Sequence, residues 1–111
     1  MRLGLDHDLA ERILQPVVEN ACRYGRSRVV VSVSRAGEDV AFAVEDDGPG
    51  VDSTEREAIF EPGWRGAAAD GAAGAGLGLA LARRLARSVH GEIEALDGNG
   101  GGRFRITLPR A

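Results

Sequence analysis

The sequence predicts an α+β domain, with a mixed, largely antiparallel sheet and helices packed on one face. Three observations carry this. Apolar residues recur every three or four positions from Leu9 to Tyr24 and again from Leu77 to Val89. Two pairs of β-rich segments, each pair joined by a short Gly-containing turn, read as hairpins. Hairpins pair antiparallel, whereas parallel strands need long crossovers. The order is α, β, β, short α, loop, α, β, β, with no internal repeat. At 111 residues the chain is one domain, large enough for a single core.

Each element has a local reason. Asp8, with Glu11 three residues on, reads as an N-cap and capping box. Leu9, Ile13, Val17, Ala21 and Tyr24 follow at helical spacing, and Gly25 is placed to stop the helix. Pro16 breaks a rule inside it, because it removes one backbone hydrogen bond at roughly 3 kcal/mol in a helix interior. Local violations of this kind often sit at functional sites. Residues 28–34 form a strand by β-branched content, 35–39 a turn around Gly37, and 40–45 the return strand with Val40, Phe42 and Val44 on one face. Residues 46–50 turn the chain, and 53–60 read as a short helix capped by Ser53. Residues 67–75 are almost only Ala, Gly and Asp; Ala favours helix and Gly undoes it, so a mobile loop is expected. In the second helix Leu77, Leu81, Leu85 and Val89 mark the core face, with Arg83, Arg84 and Arg87 opposite, and His90-Gly91 ends it. Residues 92–96 and 103–108 close the sheet around the turn 98–102, with Phe104, Ile106 and Leu108 toward the core.

Composition bounds the function. The net charge of -3 argues against nucleic acid as the main partner. A hydrophobic share of 43% is ordinary for a globular protein, and no apolar run approaches the ~20 residues of a membrane span. No signal-peptide pattern precedes the first helix. The single Cys22 has no partner for an internal disulfide; it reads as a small buried helix residue in a reducing, cytoplasmic setting. His7 and His90 are unrelated, with surface or capping roles, and no His/Cys spacing suggests zinc.

Four blocks carry chemistry. Asn20, Arg23 and Tyr24 share one helix face at i, i+3 and i+4. A carboxamide oxygen is a neutral ligand that Mg²⁺ accepts beside water and phosphate. Asp46 ends an apolar strand and opens Asp46-Asp47-Gly48-Pro49-Gly50, an ordinary turn string when taken alone. Ile59-Phe60-Glu61-Pro62-Gly63-Trp64-Arg65-Gly66 follows, where Arg65 is either a solvated side chain or a partner for phosphate. Gly74-Ala75-Gly76-Leu77-Gly78-Leu79 then runs into an Ala/Leu helix, and free N–H groups at a helix N-terminus suit a phosphate chain. A dinucleotide fingerprint would want Gly at position 79, which is Leu, and a Walker A loop would want Lys-Ser/Thr after the glycines.

In this order the blocks resemble the N, G1, F and G2 boxes of the catalytic ATP-binding domain of bacterial sensor histidine kinases, in the GHKL (Bergerat-fold) ATPase superfamily. The resemblance runs from about Asp6 to Pro109. It implies an α/β sandwich whose cofactors are ATP and Mg²⁺. Asn20 matches the metal-binding Asn, Arg23 a position that contacts the phosphates, and Tyr24 an aromatic that lines the nucleotide. Asp46 matches the carboxylate that accepts the exocyclic amine of adenine, with Gly48 and Gly50 letting the backbone approach the base. Gly74, Gly76 and Gly78, with Leu77 and Leu79, form the G2 box, and 67–75 the lid over ATP. Trp64 stands one residue past the family's usual F-box aromatic, and Asp47 takes a place where the family often has Asn and receives no role. The family begins with a strand or hairpin before its first helix, so the chain looks like a fragment short at its start.

The resemblance also implies partners. Hydrolytic superfamily members use a Glu one helical turn before the metal-binding Asn; here that position is Pro16, so transfer to a protein acceptor is expected over hydrolysis. The acceptor would be a His on a separate dimerisation domain, with a response regulator beyond it. The fragment would be a monomer that binds ATP or ADP without phosphorylating itself, from a homodimeric parent. The alternatives are an anti-sigma-factor serine kinase of the same superfamily and a non-catalytic nucleotide-binding module.

Overall fold

The computed structural model describes residues 7–25, 27–62, 78–97 and 101–109. Helix α1 (His7–Tyr24) leads into a hairpin of β1 (Val29–Ala36) and β2 (Asp39–Asp46). A 3₁₀ turn (Ala58–Phe60) follows, then helix α2 (Gly78–Ser88) and strands β3 (Glu92–Ala95) and β4 (Gly102–Pro109). The strands lie in the order β1-β2-β4-β3, and every pairing among the described residues is antiparallel. The fold is α+β, as expected.

Both helices cover one face of this sheet. Ile13, Val17 and Ala21 of α1 are buried, as their spacing predicts, in one cluster with Val44 of β2 and Phe104, Ile106 and Leu108 of β4. The other sheet face is polar: Glu45 stands opposite Arg103 at 3.8 Å, and Glu94 opposite Arg105.

Four expectations need correction. Helix α1 begins at His7, so Asp8 lies in its first turn, where a carboxylate meets the positive end of the helix dipole. Residues 53–60 form turns and only three residues of 3₁₀ helix; Asp52, not Ser53, organises them, accepting the Thr54 N–H and hydroxyl at 2.9 Å each. Those two bonds, backbone first, hold the Asp52 carboxyl below its ordinary value. In α2 the buried residues are Ala82 and Ala86, while Leu85 and Val89 are partly buried and Leu81 is 58% exposed. Small side chains let the two helices approach closely, so α2 has turned its Ala stripe inward. Cys22 is exposed, because the core takes Ala21 and the next helix position points about 100° away.

The capping expectation for His90 holds in the backbone. His90 has φ +66°, its N–H donates to the Arg87 carbonyl at 3.2 Å, and the Gly91 N–H donates to Ala86 at 2.7 Å. This is a Schellman ending with a non-glycine in the left-handed position. His90→Gly is therefore expected to raise stability by about 1 kcal/mol, read as a higher urea midpoint. A lower midpoint would show that the imidazole supplies more than the backbone strain costs.

Candidate functional site

Cross-strand register places the site at one end of the sheet. Residues on the helix side of the sheet form rows: Val33, Phe42, Ile106 and Ile93, then Val31, Val44, Phe104 and Ala95, with Val33 and Val31 exposed at the β1 edge. The next row is Val29, Asp46 and Gly102. Side chains alternate along a strand, so Asp46 falls on the core-facing side, one row beyond the last apolar layer. It is half-buried there, beside the C-terminal end of α1.

Backbone donors fix this carboxylate. Its Oδ1 accepts the Gly48 N–H at 2.8 Å and a longer bond from the Gly102 N–H at 3.4 Å. Among the described residues, Oδ2 carries no hydrogen bond, so one acceptor oxygen is available at an oriented carboxylate. Glycines make the room. A Cβ on Gly25 would lie 3.3 Å from the Asp46 Cβ and 2.6 Å from the Ala21 carbonyl oxygen, and one on Gly102 would enter the Asp46 carboxylate. Gly50 has φ +76° and leaves 2.7 Å between a notional Cβ and the Gly101 carbonyl oxygen. Gly48 is buried in the same turn. The sequence marked Gly48 and Gly50; it read Gly25 only as a helix stop and Gly102 only as a turn residue.

The helices meet beside this cradle. A Cβ on Gly78, the first residue of α2, would lie 3.4 Å from the Pro16 Cβ, so the α2 N-terminus abuts α1 at Pro16. Asn20 is one turn further along α1 and half-buried, and Arg23 is exposed beyond it. Leu79 is half-buried at the α2 start. Glu19 is exposed and accepts a hydrogen bond from Gln15 at 3.0 Å. Arg65, Trp64, Gly74, Gly76, Leu77 and the loop 67–75 lie outside the described residues, as does the side chain of Tyr24.

One charged cluster was not legible in the sequence. Arg83 is only 11% exposed, although its spacing put it on the solvent face. Its guanidinium meets Glu57 through two bonds of 3.0 and 3.2 Å, Glu92 through Nε at 3.1 Å, and lies 4.3 Å from the centre of the Phe60 ring. Burial acts to lower the Arg83 pKa, and the bonds to Glu57 and Glu92 outweigh it, so the value is raised. This side chain joins the 3₁₀ turn, α2 and β3.

Glu92 is the acidic hub of the cluster. Burial acts to raise its pKa, but the Ile93 N–H and the guanidiniums of Arg87 and Arg83 hold it below the ordinary 4.5. A depressed folded pKa means that Glu92 stabilises the fold above the unfolded value, and that the contribution is lost as pH falls through the folded one. Glu92→Gln is expected to lower the urea midpoint at neutral pH, and its gap to the wild type to close as pH falls below the ordinary carboxylate range. A gap that persists in acid would show that the loss is packing, not charge.

Comparison with known proteins decides the family. Residues 5–111 match the family described as histidine kinase-, DNA gyrase B-, and HSP90-like ATPase. The chain belongs to that family. It is 38% identical to sensor protein RstB of Escherichia coli (strain K12) over 109 residues, covering 96% of this chain and 25% of RstB. It is 40% identical to sensor protein KdpD of Mycobacterium tuberculosis (strain H37Rv) over 98 residues, 87% of this chain and 11% of KdpD. The fold matches the mycobacterial sensor histidine kinase MprB with a TM-score of 0.86 at 26% identity, over 97% of this chain and 76% of that one. It matches full-length ShkA in complex with AMPPNP at 0.83 and 30% identity, over 98% of this chain and 23% of ShkA. The chain thus spans a quarter or less of these two sensor proteins, and it is of the catalytic, GHKL-type domain of sensor histidine kinases. The blocks that resemble the N and G1 boxes lie on α1 and at the end of β2, and the described part of the block that resembles the F box includes the 3₁₀ turn. No helix among the described residues is long and apolar enough to cross a membrane.

Proposed function

We propose that this domain binds Mg-ATP between α1, the turn after β2 and the start of α2, and donates the γ-phosphoryl to a His on a separate dimerisation domain of its parent protein. The observation that carries the reading is the Asp46 carboxylate, oriented by Gly48 and Gly102, with no hydrogen bond to Oδ2 among the described residues and walled by glycines. A buried-side carboxylate with one open oxygen suits the exocyclic amine of adenine, and a charged hydrogen bond of this kind contributes roughly 1.5–3 kcal/mol.

The other residues serve the opposite end of the nucleotide. The α2 N-terminus offers backbone N–H groups at Gly78 and Leu79, and Gly74, Gly76 and Leu77 extend the same box. Arg23 supplies charge to the phosphates, and Arg65 is assigned to the transferring group. Tyr24 lines the nucleotide. Asn20 fits Mg²⁺ as a single neutral ligand, since Mg²⁺ keeps several waters and takes phosphate oxygens for the rest. Bound there, the ion would neutralise charge on the phosphates.

The same geometry favours transfer over hydrolysis. Pro16, one turn before Asn20, has no group to activate water, and Glu19 is turned to Gln15 on the exposed side. In the transfer, an imidazole nitrogen bonds to the γ-phosphorus as its bond to the bridging oxygen breaks, and ADP leaves. The acceptor domain and a response regulator are the proposed partners, in a homodimeric, cytoplasmic kinase core, with this domain alone a monomer. The test is to mix the domain with Mg-ATP and the phosphoacceptor domain of the parent. An acid-labile phosphoprotein is expected. An acid-stable one would assign a serine acceptor instead, and none would overturn the kinase reading.

A further inference from the structure

Asp46 and Asp47 are adjacent, yet their carboxylates meet different partners. Asp47 reaches the loop that leaves α1. Its Oδ1 accepts the N–H groups of Ser27 at 3.0 Å and Arg28 at 3.1 Å. Its Oδ2 accepts the Ser27 hydroxyl at 2.6 Å and shares the Ser27 N–H at 3.1 Å. The Asp47 N–H donates in return to the Arg28 carbonyl at 3.3 Å. The residue is half-buried.

We infer that Asp47 is a positioning residue for the nucleotide site, an inference that rests on the nucleotide reading above. The loop it clamps begins two residues after Gly25, whose missing Cβ makes the space beside Asp46. The helix ending there carries Asn20 and Arg23. Residues 27–28 held to the turn after Asp46 fix the separation between the end of α1 and the Asp46 carboxylate. One nucleotide then meets its base contact and its phosphate contacts together. A carboxylate suits the task because it accepts from two backbone N–H groups and a hydroxyl at once.

The test compares Mg-ADP binding, by calorimetry, across the wild type, Asp47→Ala, Asp47→Asn and Ser27→Ala. Asp47→Ala is expected to weaken binding about tenfold, and Ser27→Ala about threefold. Asp47→Asn stays within about twofold, because one amide oxygen still accepts both N–H groups and the amide nitrogen can donate to the hydroxyl. The coupling readout separates positioning from simple stability: in an Asp46→Asn background, Asp47→Ala costs no further affinity. Wild-type-like binding by folded Asp47→Ala overturns the inference. So does an undiminished loss in the Asp46→Asn background, or an Asp47→Asn variant as weak as Asp47→Ala. If Asp47→Ala does not fold, Asp47→Asn and Ser27→Ala decide on the same terms. A wild-type domain that takes no ADP would be seen first, and would overturn the nucleotide reading itself along with this inference.

Discussion

Asp46→Ala is expected to remove measurable adenine-nucleotide binding while the domain stays folded. The carboxylate is at the sheet end and contributes no apolar packing, so truncation opens no core cavity. What it removes is the acceptor aimed at the base and the partner of the Gly48 and Gly102 N–H groups. A charged hydrogen bond of roughly 1.5–3 kcal/mol corresponds to a loss of about 10- to 100-fold, and the reorganised turn adds to it. Asp46→Asn sharpens the prediction. It keeps the size and one acceptor oxygen, but puts an amide donor or the already occupied oxygen toward the amine, so it should also weaken ATP strongly. Calorimetry with circular dichroism on the same samples checks both. Normal binding by Asp46→Ala would move the base site away from this end of the sheet.

Phe104→Ala is expected to cost the fold about 3–5 kcal/mol. Phe104 is fully buried in the last apolar row, between Val44 and Ala95. Its ring meets Phe60 edge-on at 6.3 Å between centroids, an arrangement that contributes on the order of 0.5–1.5 kcal/mol beyond area burial. Phe60 in turn lies under the Arg83 guanidinium. Truncation therefore opens a cavity where the 3₁₀ turn, α2 and the sheet converge, two residues along β4 from Gly102. Against a total stability of about 5–15 kcal/mol this is a large fraction, and urea denaturation should show a strongly lowered midpoint. Leu81→Ala is the matched control. Leu81 is 58% exposed, so its truncation should stay within about 0.5 kcal/mol. Equal losses at Leu81 and Phe104 would overturn the orientation of α2.

The Leu81 contrast shows where the sequence is legible and where it is not. Period-2 patterning in β2 and β4 and the Ile13-Val17-Ala21 stripe in α1 named the core correctly, because strong local periodicity leaves one burial solution. In α2 large and small apolar residues offered two stripes, and close helix packing chose the alanines. Spacing alone favours the larger side chains. Asp46 was marked as a site residue by the family resemblance; its position at the end of an apolar strand, taken alone, read as an ordinary turn. The glycine at 102 and the clamp at Asp47 were not legible, because their partners lie 56 and 20 residues away in the chain. Arg83 was hidden for the same reason: its Glu57 partner is 26 residues distant, and helix spacing reports only which neighbours share a face.

The charged cluster separates stability from binding. Arg83, Glu57, Glu92 and Arg87 pair with one another around α2, whereas Gly25 and Gly102 flank Asp46, and Asp47 holds the loop beyond Gly25. Changes in the first set should move urea midpoints, and changes in the second should move nucleotide affinity. This division gives each variant an internal control.

The most direct test of the central claim is calorimetric titration of the wild-type domain with ATP, with and without Mg²⁺. The account predicts saturable binding at one site, strengthened by Mg²⁺ and competed by ADP. A folded domain that gives no saturable binding under either condition would contradict the assignment of the Asp46 cradle as an adenine site.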